Sequence, residues 1–118
     1  MKREFGILLL VIHALINNAL CQISQKYTFK SYTIEDGLSQ NSVYSLAVTS
    51  DGFIWQGTNE GLNRFDGQNF LNVKVKTNDS TVHSNVVFSI LAVEDGLLIG
   101  TLEDILFFDL KTYKFEEI

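Results

Sequence analysis

Two acidic pairs are the first residues in this sequence whose types and spacing could do chemistry. Glu35-Asp36 opens the tetrapeptide Glu35-Asp36-Gly37-Leu38, and Glu94-Asp95 opens Glu94-Asp95-Gly96-Leu97. Carboxylates cleave glycosides when two of them face each other in unlike environments, one protonated and one charged. No spacing here identifies such a facing pair, and an acidic residue before glycine is ordinary turn chemistry. Metal binding has less to draw on. His13 and His83 are the only histidines, Cys21 is the only cysteine, and no Asp-rich loop has EF-hand spacing. No serine sits in a Gly-x-Ser-x-Gly elbow, so nucleophilic catalysis has no candidate. Asn78-Asp79-Ser80 fits the glycosylation sequon but reads as a polar loop. No cofactor is expected.

The elements that would position any site must fit in 118 residues, which allows one small domain at most. A kinase core, a doubly wound nucleotide-binding enzyme and a TIM barrel are all too large. The chain is 46% apolar and 19% charged, without proline, so it is not a disordered linker. Its formal charge of −5 and pI near 4.8 argue against nucleic acid, whose phosphates need clustered Lys and Arg.

The N-terminus has the pattern of an export signal. Lys2 and Arg3 precede a mostly apolar run over residues 5–16, then Asn17-Asn18 and Ala19-Leu20-Cys21. A basic start, a short apolar run and small residues at a cleavage site define a secretory signal. The run is shorter than the roughly 20 apolar residues that span a bilayer. Cleavage after Cys21 puts Ala19 and Cys21 at the two small-residue positions. The alternative is a lipoprotein signal in which Cys21 is acylated and retained, although Leu20 is bulky for the preceding position. Loss of residues 1–21 removes Lys2, Arg3 and Glu4, leaving 7 basic and 13 acidic residues and a net charge of −6. It also removes the only cysteine, so the exported chain has no disulfide to stabilise it.

The remaining chain is a repeat. Asn41-Ser42-Val43-Tyr44-Ser45-Leu46 recurs as Asn85-Val86-Val87-Phe88-Ser89-Ile90, and Asp51-Gly52 recurs as Asp95-Gly96, at an offset of 44. After a one-residue deletion Gly57-Thr58 matches Gly100-Thr101, and Phe65-Asp66 matches Phe108-Asp109, at an offset of 43. Between these markers the chain reads as short strands. Val43–Val48 is β-branched and aromatic-rich and ends at the hairpin signal Thr49-Ser50-Asp51-Gly52. Residues 53–58 form the next strand, residues 62–65 the third, and Asp66-Gly67 turns the chain into a half-exposed strand over 70–75. No helical period follows the signal. A four-stranded antiparallel meander repeating at about 44 residues predicts β-propeller blades.

The repeat residues suit that packing. Inner strands covered by neighbours on both faces read as near-continuous apolar runs, as Val43–Val48 and residues 97–99 do. Trp55 is expected in the gap between blades, where its indole N–H needs one partner. Gly57 and Gly100 fit points where backbones approach beside a large side chain. The Thr58 and Thr101 hydroxyls can satisfy a backbone group at a strand end.

Three spaced segments then carry a resemblance. Leu38-Ser39-Gln40-Asn41-Ser42-Val43, Asp51-Gly52-Phe53-Ile54-Trp55-Gln56-Gly57-Thr58 and Glu60-Gly61-Leu62-Asn63-Arg64-Phe65-Asp66-Gly67 resemble the two-component regulator propeller repeat. That repeat reads L-S-x-N-x-V, then D-x-x-G-x-[LI]-W-[IF]-G-T, then G-L-x-R-[FY]-D-G. The second repeat departs from it, with Leu98 at the Trp position, Asp104 at that of Gly61 and Phe107 at that of Arg64. Gln56 replaces the usual apolar residue before Gly57. The expected architecture is all-β, a partial β-propeller of two four-stranded antiparallel blades after a signal peptide. Its parts are the signal over 1–21, a lead-in with an outer strand over 22–37, blade one over 38–76 and blade two over 77–118.

The resemblance implies the periplasmic sensor region of a hybrid two-component receptor, many of which sense oligosaccharides. Such receptors continue into further blades, an immunoglobulin-like domain, an inner-membrane span and a histidine kinase, which are the expected partners. The kinase's phosphorylated histidine has no match in His13 or His83, so this chain is expected to catalyse no phosphoryl transfer. Two blades do not close a ring, and residues 27–32 read as the outer strand of a blade completed elsewhere. A fragment of a longer receptor, or the product of an interrupted gene, is therefore expected. Two other functions compete with the sensor. One is an exported module that self-assembles, as a homodimer or higher oligomer, or binds another partner. The other is a propeller enzyme acting on glycans, which needs acidic or histidine side chains converging at a ring centre. For the sensor, Gln40, Asn41, Asn59, Glu60 and Arg64 are polar groups near turns, and the sequence alone assigns none of them a ligand.

Overall fold

The computed structural model describes residues 1–20, 26–76 and 85–118. Cys21, the Asn78-Asp79-Ser80 sequon and His83 lie outside the described residues. The chain divides into two units, residues 1–30 and residues 31–118.

In the first unit, α1 (Lys2–Leu20) is a 19-residue helix with Glu4 in its first turn. An acidic side chain there complements the positive end of the helix dipole. Among the described residues, no helix is long and apolar enough to cross a membrane.

Among its described residues the second unit is all-β apart from a single 3-10 turn over Ile34–Asp36. Eight strands follow: β1 (Val43–Val48), β2 (Ile54–Thr58), β3 (Gly61–Phe65), β4 (Phe70–Val73), β5 (Ser89–Val93), β6 (Gly96–Gly100), β7 (Ile105–Asp109) and β8 (Phe115–Glu117). They form two sheets, in the orders β1-β2-β3-β4 and β5-β6-β7-β8, with every pair antiparallel. Each sheet is thus a simple meander, one blade. A register shift between Val43 and Ser45 marks a bulge in β1.

Strand ends depart from the sequence reading by a residue or two. Phe53 belongs to the β1–β2 turn, where its carbonyl accepts the Thr49 N–H at 3.1 Å. β4 stops at Val73 because Val75 leaves the ladder and buries its side chain in the inter-blade core. Residues 27–32 form no strand. Strand structure exists only through a paired ladder, and the partners expected for residues 27–32 belong to a blade other than these two sheets.

The core lies between the blades. Trp55 and Leu62 of the first blade meet Leu97, Ile99, Leu106, Phe108 and Phe115 of the second, with Val75 and Val87 between them. Among the described residues one backbone bond joins the blades, from the Val87 N–H just before β5 to the Thr58 C=O at the end of β2, at 2.9 Å. The faces turned away from this core are another matter. Both faces of β1 were expected to be covered, yet Leu46 and Val48 are 65% and 63% exposed. Among the described residues no second blade lies against that side of β1, so Leu46 and Val48 meet solvent.

Candidate functional site

The W-x-G-T segment builds the blade interface. Along β2 side chains alternate, so Trp55 and Gly57 share one face and Ile54 and Gln56 the other. Trp55 is fully buried and stands edge-on to Phe108, with ring centroids 5.5 Å apart. Its Nε1–H donates to Thr49 Oγ1 at 3.2 Å, and that hydroxyl donates onward to Asp51 Oδ1. In the second blade the repeat places Val93 at the Thr49 position and Leu98 at the Trp55 position, so donor and acceptor are missing together. Gly57 is needed because a Cβ there would lie 2.6 Å from the Val87 carbonyl oxygen and 2.7 Å from Ser45 Oγ. At Gly100 the crowding group is the small side chain of Ser89 rather than a large one.

A buried polar chain holds the lead-in to the blade. Asn63 Oδ1 accepts the Ser39 backbone N–H at 3.0 Å, and its Nδ2–H donates to Ser39 Oγ at 2.8 Å. Ser39 Oγ lies 2.9 Å from Thr58 Oγ1, which donates to the Gly61 carbonyl at 3.1 Å. Each hydroxyl carries one proton, so the chain runs Asn63 to Ser39 to Thr58 to Gly61. Asn63 occupies the variable position of G-L-x-R and was not singled out by sequence. Its signal was a polar residue at an inward position of β3, where the second blade has Leu106. Thr101 repeats the Thr58 role, donating to the Asp104 carbonyl at 3.1 Å.

The two Phe-Asp steps close equivalent turns. Asp66 Oδ1 accepts the N–H groups of Gln68 and Asn69 at 2.8 and 2.7 Å, and Asp109 Oδ1 accepts those of Lys111 and Thr112, both at 2.7 Å. The Asn69 and then the Gln68 N–H hold the Asp66 carboxyl below its ordinary value. The Thr112 N–H chiefly does the same for Asp109. The backbone of the Asp-Gly repeat is less regular. Gly52 has φ 86°, whereas Gly96 opens β6 without positive φ and lies beneath the Phe107 ring.

Two concave surfaces remain. One is a polar cleft of about 570 Å³ at the end of the first blade. Gln40, Asn41 and Glu60 line it together, with Ser39, Asn72, Lys74 and Ile34. Asn41 is partly committed, its Oδ1 accepting the Ile34 N–H at 2.9 Å. Asn59 and Arg64 do not line it. Asn59 Oδ1 accepts the Tyr44 hydroxyl at 2.9 Å, and Arg64 lies 4.2 Å above the Phe53 ring. The cleft offers amides, an ammonium and a carboxylate as hydrogen-bonding groups. Glu35 and Asp36 are in the 3-10 turn, where Asp36 Oδ2 accepts the Thr33 N–H at 2.8 Å, and Asp95 is paired with Lys111 at 3.1 Å. Neither acidic pair is therefore set against the other. Among the described residues no cluster has the makings of a metal site.

The second surface is an apolar groove of about 310 Å³ on the uncovered face of the first blade. Tyr32 stands over it, edge-on to Phe65 at 4.8 Å and to Phe70 at 5.7 Å.

Comparison with known proteins agrees with this architecture. The sequence profile of the family described as "Two component regulator propeller" matches residues 37–60. Histidine kinase P4 of Formosa agariphila is 35% identical over 79 residues, which are 67% of this chain and 6% of that protein. The extracellular domain assigned to the hybrid two component system BT3049 of B. thetaiotaomicron superposes with a TM-score of 0.65 at 31% identity. That match covers 78% of this chain and 13% of the solved one. The chain thus spans a small part of the length of both proteins. With its motif segments, its meander blades and this similarity, the chain belongs with the two component regulator propeller proteins, their repeat lying at residues 37–60.

Proposed function

We propose that residues 38–118 are two blades of the ligand-sensing propeller of a hybrid two-component receptor. In this reading residues 1–21 are the export signal, 22–37 the lead-in, 38–76 the first blade and 77–118 the second. The propeller works in the periplasm, the receptor is anchored in the inner membrane, and the kinase lies in other parts of that receptor. The chain itself contributes recognition and no catalysis. The observation that carries the reading is the repeat at 37–60 set in the fold of an extracellular two-component domain.

Oligosaccharide is the ligand class we favour, and the polar cleft is its site. Asn72, Lys74, Gln40 and Glu60 present neutral and charged hydrogen-bonding groups on one open surface. Calorimetric titration of the full chain with oligosaccharides from polysaccharide digests tests this. Binding is expected for at least one mixture and is expected to weaken at least tenfold in Lys74→Ala and in Asn72→Ala. Absence of heat with every mixture, or binding untouched by both substitutions, rejects the cleft.

A second reading, self-assembly of the exported chain, is favoured by the exposure of Leu46 and Val48. A monomer throughout sedimentation at rising concentration rejects it.

A further inference from the structure

The inference concerns two aromatic side chains that the inter-blade core leaves out, and it rests on the reading of the chain as an oligosaccharide sensor. Tyr44 and Phe88 hold the same place in the repeat, 44 positions apart. Their rings meet across the seam between the blades, with centroids 5.1 Å apart and planes tilted by 43°. Both rings are large, yet the two residues are 45% and 41% exposed. The bulge in β1 accounts for Tyr44. The ladder passes from the Val43–Thr58 pair to the Ser45–Gly57 pair, so Tyr44 has no partner on β2 and drops out of the strand's alternation. Phe88 stands just before β5, where its N–H donates to the Gly100 carbonyl at 2.9 Å.

Polar groups edge this pair. The Tyr44 hydroxyl donates to Asn59 Oδ1 at 2.9 Å, which leaves the hydroxyl oxygen able to accept from a further donor. Glu60, the next residue along the chain, belongs to the wall of the polar cleft. Pair and cleft therefore share the turn between β2 and β3. The backbone bond between the blades lies at the same place, since its two residues, Thr58 and Val87, directly precede Asn59 and Phe88.

Such a surface has an aromatic middle and a hydrogen-bonding rim. A pyranose ring has the matching features, a face of C–H groups and a rim of hydroxyls. A wholly apolar partner would instead cover the Tyr44 hydroxyl, Asn59 and Glu60 with groups that cannot bond them, which is unfavourable. We propose that Tyr44 and Phe88 are the stacking platform for one sugar ring of the oligosaccharide. The sugar lies across the seam and clasps the first blade to the second. Occupancy is then felt where Val87 bonds Thr58.

Calorimetric titration of the full chain with tetrasaccharide fractions of the polysaccharide digests tests the platform by ring type. Phe88→Leu keeps apolar bulk without an aromatic face and is expected to weaken binding at least tenfold, as is Tyr44→Ala. Phe88→Trp offers a wider ring and is expected to tighten binding at least twofold. Near-ultraviolet circular dichroism of Trp55 reports that Phe88→Leu and Tyr44→Ala retain the inter-blade core. The binding fraction is expected to slow amide exchange at Val87 at least fivefold in the natural chain, and not in Phe88→Leu at the same concentration. Equal affinities of Phe88→Leu, Phe88→Trp and the natural chain overturn the platform, while a loss in Lys74→Ala beside them keeps the cleft. Weakening by Phe88→Leu, with Lys74→Ala and Asn72→Ala without effect, keeps the platform and rejects the cleft. An unchanged Val87 amide at saturation overturns the clasp. No heat with any fraction overturns platform and cleft together.

Discussion

Arg64 and Tyr113, 49 positions apart in sequence, meet across the two blades. The guanidinium Nη1–H donates to the Tyr113 hydroxyl at 2.5 Å, while the cation lies 4.2 Å above the Phe53 ring. Tyr113 pays with a backbone φ of 57°, a left-handed conformation that bulky side chains rarely adopt. The bond from its N–H to the Asp109 carbonyl, at 2.9 Å, holds that turn. Its ring then packs near Trp55 and Phe108, with centroids 6.1 and 5.4 Å away. The motif arginine here ties blade to blade.

Tyr113→Phe keeps the ring and removes the acceptor of the Arg64 proton. Chemical denaturation is expected to show a loss of about 1 kcal/mol, the usual contribution of a part-buried hydrogen bond. Arg64→Lys should cost at least as much, because an ammonium cannot lie flat over Phe53 while bonding Tyr113. An unchanged midpoint in both variants would remove this pair from the interface.

Trp55 is the only tryptophan, so its fluorescence reports unfolding directly. Trp55→Ala deletes the side chain at the centre of the core and is expected to cost about 3–5 kcal/mol. Thr49→Val leaves the indole N–H without its acceptor at almost constant volume. The expected loss is about 1–3 kcal/mol, with a shift in the native emission maximum. Equal stability of Thr49→Val and the natural chain would show that the N–H is satisfied elsewhere.

Gly57→Ala puts a methyl group against backbone that cannot swing aside, the Val87 carbonyl oxygen 2.6 Å from the added carbon. Separation of β2 from the start of the second blade is expected, with a loss of about 1–3 kcal/mol. Amide exchange at Val87, whose N–H bonds Thr58, should speed up more than exchange within β3. Uniform exchange across the unit would contradict this.

Asp66 and Asp109 give stability a pH dependence of known sign. Both carboxyls lie below their ordinary value of 3.8 in the folded chain, held there first by the Asn69 and Thr112 N–H groups respectively. Their contribution is fully present above that value and is lost as pH falls through the lowered folded values. Thermal midpoints are expected to drop as pH is lowered from about 5 to about 2. Asp66→Asn together with Asp109→Asn keeps an acceptor oxygen in each turn but no charge, and should flatten that drop. Two-dimensional NMR of the carboxyl carbons would show both titrating below the ordinary value of 3.8.

Much of the local structure was legible in the chain itself. Alternation and turn chemistry act over a few residues, so they placed the four strands of the first blade and the Asp66-Gly67 turn, and the repeat offset carried that pattern to the second blade. The offset of 43–44 residues paired Trp55 with Leu98 and Gly57 with Gly100 before any coordinates, because repeated packing demands repeated residue types. What tertiary structure alone decided is which faces are covered and which distant groups meet. Val43–Val48 reads as apolar throughout, yet its Leu46 and Val48 are open to solvent, since burial depends on a neighbour the strand does not encode. Ser39, Thr58 and Asn63 are separated by up to 24 positions and join in one hydrogen-bonded chain only after the blade has folded. Gln56 was visible as a departure from its repeat. That its Oε1 is buried without a donor among the described residues followed only from packing, because satisfaction of a polar group is a property of its surroundings.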